Sequence, residues 1–285
     1  MRILVAQLAP APGDLARNVE RVRAATEAAP SDLAVFPELF LSGYRIGDRV
    51  HRMALRDGDP TVSALRSISK GAGTTIVVGA PVASTERPGE VHNTAVAVTP
   101  EGLLRTQVKR YLPTFGPFEE GVQFTPTDRS VPLRLAGITV GLEICYDVFF
   151  PEVTRQLALA GAELLVAISA APVTSRRLFD RLLPARAIEN SLPVVYVNRV
   201  GVEDGIVFGG GSGGWSPRGD PIPSSNVPFA PAAPEESLTV LEVDPSEAAH
   251  WRPFRPVLRD AAGRSNPGGT GLAPSESTSI PTRPL

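Results

Sequence analysis

Short apolar, β-prone runs recur along the chain with helix-forming stretches between them, and this alternation limits the folds open to it. Strand-like runs fall at residues 1–8, 31–36, 74–78, 95–98, 103–108, 135–144, 164–169, 192–197 and 237–243. Between them, 15–27 reads as a helix with Asp14 as its N-cap, and 62–70 as another after the Asp59-Pro60 break. Pro151 opens a helix carried on by 153–160 and stopped at Gly161, and 177–190 reads as a fourth. Pro100-Glu101-Gly102 joins two of the strands as a hairpin. The pattern argues for an α/β fold and leaves several sheet topologies open. With 285 residues, 42% of them hydrophobic, the chain fits one large domain with a sizeable core, or two at most.

Charge and composition exclude several classes. Twenty-eight basic and 30 acidic residues give a formal net charge of −2, which indicates neither a nucleic-acid nor a membrane partner. No apolar stretch approaches the roughly 20 residues that span a bilayer. The N-terminal run is too short for a signal-peptide core. A single cysteine, Cys145, excludes an internal disulfide, and a cytoplasmic location is the default expectation. His51, His92 and His250 lack zinc-ligand spacing. The glycine cluster at 209–214 lacks a phosphate-cradle pattern and reads as tight backbone packing. From about Asp260 the composition turns to Gly, Ser, Thr and Pro. We therefore expect a domain over 1–260 and a flexible tail over 261–285.

Three strand ends carry reactive side chains. Cys145 lies between the apolar run at 135–144 and the helix opened by Pro151, where a side chain is presented at a sheet rim near unused backbone N–H groups. Pro37 ends the run at 31–36 and leaves Glu38 at its rim, while Lys109 ends the run at 103–108. Open α/β sheets build their sites along such an edge. Taken singly, each residue has an ordinary alternative: a small core thiol, a helix cap and a solvated ammonium.

Together these segments resemble the carbon–nitrogen hydrolases of the nitrilase superfamily. The resemblance rests on Phe36-Pro37-Glu38-Leu39-Phe40-Leu41-Ser42-Gly43-Tyr44, on Lys109-Arg110-Tyr111-Leu112-Pro113, and on Gly141-Leu142-Glu143-Ile144-Cys145-Tyr146-Asp147 with Phe150-Pro151-Glu152 and Arg155. A fourth motif is Ala185-Arg186-Ala187-Ile188-Glu189-Asn190 with Asn198-Arg199-Val200-Gly201. Four motifs in order, over roughly residues 1 to 245, make a specific match. The resemblance implies a four-layer α-β-β-α sandwich, dimers or larger homo-oligomers, and a Glu38–Lys109–Cys145 triad. It also implies a second glutamate in the loop after Lys109, for which Glu120 aligns better than Glu119.

The chemistry expected of that set needs no metal or organic cofactor. Cys145 attacks the substrate carbon and Glu38 takes the thiol proton. Lys109 and a backbone N–H, that of Tyr146, hold the oxyanion, and water releases the acid from a thioester. Arg186 and Glu189, three apart on one helix, are expected to pair beneath the site, and Tyr44 and Phe118 to line it. Tyr146-Asp147 after the cysteine, where nitrile-cleaving relatives carry Trp-Glu, points to a small linear amide. The loop from Leu112 to Glu120 resembles glutaminase domains of NAD synthetases and adds a lean to glutamine-like carboxamides. N-carbamoyl compounds, nitriles, acyl transfer and a silent binding protein are the alternatives.

Overall fold

The computed structural model of the protein describes residues 1–56, 58–228 and 235–264. Its strands are β1 (Arg2–Gln7), β2 (Leu33–Val35), β3 (Thr75–Ala83), β4 (Val91–Val98), β5 (Leu104–Val108), β6 (Leu133–Leu135) and β7 (Ile138–Ile144). There follow β8 (Leu164–Ser169), β9 (Val194–Asn198), β10 (Val200–Glu203), β11 (Ile206–Gly209), β12 (Gly213–Trp215), β13 (Ser224–Val227) and β14 (Ser237–Glu242). The helices are α1 (Leu15–Ala28), α2 (Val50–Met53), α3 (Pro60–Ala72), α4 (Glu120–Gln123), α5 (Pro151–Leu159), α6 (Arg176–Asn190), α7 (Ser246–Trp251) and α8 (Val257–Arg264). One sheet runs β13-β14-β1-β2-β3-β4-β5, a second runs β12-β9-β8-β7-β6, and β10-β11 is a separate hairpin.

Side-chain alternation along the strands builds the layers. Ile3, Val5, Leu33, Val35 and Val77 point inward and meet Val140, Leu142, Ile144, Val166, Ile168 and Val195 of the facing sheet. Leu4, Ala34, Ile76 and Val78 point outward and are covered by Val19 and Val22 of α1 and by Val62 and Leu65 of α3. On the far side, Val153 and Leu157 of α5 and Leu183 and Ala187 of α6 cover Leu165, Ala167, Val194 and Tyr196. The result is the expected α-β-β-α sandwich. Central strands are covered on both faces, so all six residues of β8 are buried and its sequence, Leu-Leu-Val-Ala-Ile-Ser, shows no alternation. Each fully buried Leu, Ile or Val of these layers contributes about 1.5–3 kcal/mol.

The helix ends follow from their sequences. The Asp14 carboxylate accepts the Arg17 N–H at 3.0 Å, and that of Asp59 accepts the Thr61 N–H at 2.7 Å with Pro60 in the first turn. The single strand expected over 135–144 is instead two, β6 and β7. Ala136 and Gly137 both have positive φ, 47° and 83°, and form a two-residue turn. Ala-Gly signals such a turn less strongly than Asn-Gly. β3 and β4 are longer than expected, because polar residues at 92–94 belong to the ladder as well. α8 runs across position 260, where the tail was expected to begin, and 265–285 lie outside the described residues.

Strand direction decides where the site falls. β1, β2 and β3 are parallel, β4 is antiparallel to β3, and β5 is antiparallel to β4. β2, β3 and β5 thus end at the edge where β4 begins. In the second sheet, β7, β8 and β9 are parallel. At this edge the chain leaving β2 crosses directly over Gly79 of β3. A Cβ at Gly79 would lie 2.5 Å from Glu38 Cα, so only glycine lets the Pro37-Glu38 turn pass.

Candidate active site

Glu38 stands three residues beyond β2. The backbone around it is pinned by the Phe36 N–H to the Val77 carbonyl at 2.8 Å and the Gly79 N–H to the Pro37 carbonyl at 3.0 Å. The side chain is fully buried. Its Oε1 accepts from Lys109 Nζ at 2.6 Å and from Asn93 Nδ2 at 2.7 Å, and its Oε2 accepts the Ala170 N–H at 2.8 Å. Ala170 follows β8, so the carboxylate is held by donors from both sheets.

Lys109 directly follows β5 and its N–H continues the ladder to the Asn93 carbonyl at 2.9 Å. Its buried ammonium also donates to Glu120 Oε1 at 2.7 Å. Burial alone pushes a lysine toward the neutral amine. Glu120 and Glu38 outweigh it and hold the pKa above the ordinary lysine value, so the ammonium stays charged. Glu120, the first residue of α4, is buried, whereas the neighbouring Glu119 side chain is 69% exposed. Burial raises the Glu120 pKa against the pull of Lys109, with Glu38 adding to the rise. The Tyr44 hydroxyl donates a short hydrogen bond to Glu120 Oε1.

Cys145 begins a 3-10 turn, Cys145–Phe149, directly after β7, with φ at +49°. A positive φ at a non-glycine residue is uncommon and marks the sharp strand-to-helix turn. The residue keeps partial solvent exposure. Its surroundings are dense enough that burial, and then the charge of Glu38, push the thiol well above its ordinary pKa, with Lys109 opposing. The thiol is therefore protonated at neutral pH. The first N–H groups of such a turn have no partner within it.

Asp147 ties this turn to the lysine strand. Its carboxylate accepts the N–H groups of Arg110 at 3.1 Å, Tyr111 at 2.9 Å and Ile144 at 3.2 Å. Burial pushes it up to about 7, against the pull of Lys109 and these N–H groups. Beneath the turn, Arg186 Nε donates to the Val148 carbonyl and its Nη1 to Glu189, both at 2.9 Å. Glu203 Oε1 accepts the N–H of Tyr44 at 2.9 Å and of Arg45 at 2.6 Å, while its Oε2 pairs with buried Arg199 at 2.5 Å. An aromatic arc joins the two sides. Ring centroids lie 6.0 Å apart for Tyr44 and Phe118, 5.9 Å for Phe118 and Phe115, and 5.2 Å for Phe115 and Tyr146.

Glu38, Lys109 and Glu120 thus meet directly, and Cys145 lies within their field. Sequence reasoning passed over Asn93, whose amide touches both glutamates. The signal was present: a hairpin pairing Val98 with Leu104 and Thr94 with Val108 brings Asn93 level with Lys109. The glycine cluster does pack tightly. A Cβ on Gly210 would lie 2.7 Å from Gln7 Oε1. Among the described residues no group of three His, Cys, Asp or Glu side chains is placed to hold a metal ion, and no helix is long and apolar enough to cross a membrane.

Fold and site define a hydrolase whose cysteine sits at a strand-end turn beside a buried glutamate–lysine cluster. The chain belongs to the carbon–nitrogen hydrolase family, whose model matches residues 2–253. It is 36% identical over 222 residues to an (R)-stereoselective amidase from a Pseudomonas species, covering 77% of this chain and 78% of that one. It is 33% identical over 257 residues to a glutamine-dependent NAD(+) synthetase of Rhodobacter capsulatus, covering 88% of this chain and 45% of the synthetase. An amidase from Nesterenkonia sp. AN1, in a variant with acrylamide added at its active-site cysteine, is 30% identical with a TM-score of 0.73, over 89% of this chain and 97% of that one. Another variant of the same amidase, in complex with butyramide, has a TM-score of 0.75 at 30% identity, over 93% of this chain and 96% of that one.

Proposed function

We propose that this hydrolase cleaves a small linear amide to a carboxylic acid and ammonia through a thioester on Cys145. The observation that carries this reading is a charged, buried ammonium shared by Glu38 and Glu120 beside a protonated thiol. Glu38 takes the proton from Sγ as Sγ bonds to the amide carbon. The oxyanion is met by the Lys109 ammonium and by the first N–H groups of the cysteine turn, each such donor being worth about 2.7–4 kcal/mol in the transition state. The tetrahedral centre collapses, the C–N bond breaks, and the proton on Glu38 leaves with the nitrogen as ammonia. Water then gives a proton to Glu38 and its oxygen to the thioester carbon. The acid departs and the thiol regains its proton. Glu120 holds the ammonium in place and does not exchange protons with the substrate.

The amidase relatives support an amide over a nitrile, as does Tyr146-Asp147 after the cysteine. Similarity to the glutamine-dependent synthetase favours a glutamine-type carboxamide as the second reading. Ammonia release from butyramide, glutamine, a ureido acid and butyronitrile tests both. The expected result is turnover of butyramide with the nitrile at least about 10²-fold lower in kcat/KM, a gap of roughly 2.7 kcal/mol. A preference for glutamine favours the second reading, and a preference for the nitrile contradicts both.

A further inference from the structure

Asn93 lies in β4 opposite Pro81, and its carbonyl accepts the Lys109 N–H at 2.9 Å, so ladder geometry fixes it beside the lysine. The side chain is fully buried. Its Nδ2 donates to Glu38 Oε1 at 2.7 Å and to Glu120 Oε2 at 3.3 Å. An amide nitrogen has two hydrogens, one for each carboxylate, and an ionised carboxylate only accepts. That fixes which end of the amide faces the glutamates. It also leaves Asn93 Oδ1 buried with no hydrogen-bond partner. A buried acceptor left unpaired is unfavourable, and the bridge between the carboxylates is what the arrangement gains in return.

The charged and titratable groups whose fields interact with Glu38 are Lys109 after β5, Glu120 of α4, Tyr44, Cys145, Tyr196 of β9 and Arg199 after β9. Glu120 is the like charge among the carboxylates here, and Glu38 raises its pKa. The Asn93 amide and the Ala170 N–H are the neutral donors on Glu38.

We propose that Asn93 is a positioning residue that holds Glu38 toward the thiol and Glu120 on the lysine, and that it thereby sets the acid limb of the reaction. This rests on Glu38 acting as the general base. A donor on a carboxylate favours its charged form, so a variant without the donor is expected to show its acid limb at higher pH.

The test is kcat/KM for butyramide as a function of pH, with thermal unfolding measured alongside. Asn93→Leu keeps the size and removes both donors. Its acid limb is expected to move up by about one unit or more, a loss of about tenfold at pH values below the limb that is regained as pH rises. Asn93→Asp is isosteric, adds a third carboxylate, and is expected to move the limb further in the same direction. A folded variant of either kind whose limb stays in place overturns the proposal, and so does failure of both to fold, which assigns Asn93 to structure. Glu38→Gln separates the two layers of inference. If Glu38→Gln still turns over butyramide, the base assignment falls and this proposal with it. If Glu38→Gln is inactive while Asn93→Leu keeps the wild-type limb, the positioning role alone falls.

Discussion

Glu38 and Glu143 are both fully buried carboxyl groups near Cys145, and the protein treats them in opposite ways. Glu38 is met by an ammonium, an amide and a backbone N–H. Glu143 lies within β7 and accepts from the Thr154 hydroxyl at 2.5 Å, while its Oε2 has no partner. Burial pushes Glu143 up to about 8, with the Thr154 hydroxyl opposing, so it is mainly a neutral acid at pH 7. Burial by itself therefore yields a silent carboxyl. Position at a strand end and a cation shared with Glu120 give Glu38 a different setting.

Substitutions break this contrast in order of size. Cys145→Ala removes the bond-forming atom, and kcat for butyramide should fall by at least about 10⁴-fold with thermal unfolding nearly unchanged. Lys109→Met should lower kcat by at least about 10²-fold through loss of an oxyanion donor. It should also destabilise the fold by about 3–5 kcal/mol, because two buried carboxylates lose their cation, and chemical denaturation reads that directly. Normal kcat in a folded Lys109→Met protein would remove the lysine from the chemistry. Glu120→Gln leaves Glu38 on the ammonium, so a smaller fall, about tenfold, is expected, appearing in kcat rather than KM.

Glu143→Gln is the smallest and most discriminating change. It should leave kcat close to wild type, since Glu143 faces Thr154 and not the thiol. Its effect belongs to stability. A carboxyl whose folded pKa, about 8, stands above its ordinary value of 4.5 contributes stability that is full below pH 4.5 and is lost as pH rises through about 8. Wild type should therefore lose thermal stability between pH 5 and pH 8.5, and Glu143→Gln should flatten that loss. An unchanged pH slope would show that Glu143 is ionised in the fold.

What was legible in the sequence follows the same division. Strand ends were visible where an apolar run met Pro37 or Cys145, because burial on both faces writes a continuous apolar signal, whereas β5 before Lys109 is partly exposed and polar and was marked by the hairpin signal at 100–102. Asn93 was not, since Val91-His92-Asn93-Thr94 mixes polar residues into β4. Asn93 and Thr94 are buried, and Asn93 bonds to side chains from distant segments that no local pattern contains. The Ala136-Gly137 turn was hidden because alanine seldom adopts positive φ. α4 is a single turn, too short for helical periodicity, so Glu120 was found through the family motif alone. Asp147 stood inside the cysteine motif, but its three backbone N–H donors come from the segment after β5 and from the end of β7, and required coordinates to see.

The central claim is that Cys145 carries the acyl group. Intact-mass and peptide mass spectrometry of the protein quenched during turnover of a slow amide tests it most directly. The account predicts a mass increase equal to the acyl group, located on Cys145, appearing as ammonia is released and absent from Cys145→Ala. Ammonia release with no adduct on Cys145, or undiminished release by Cys145→Ala, would contradict it.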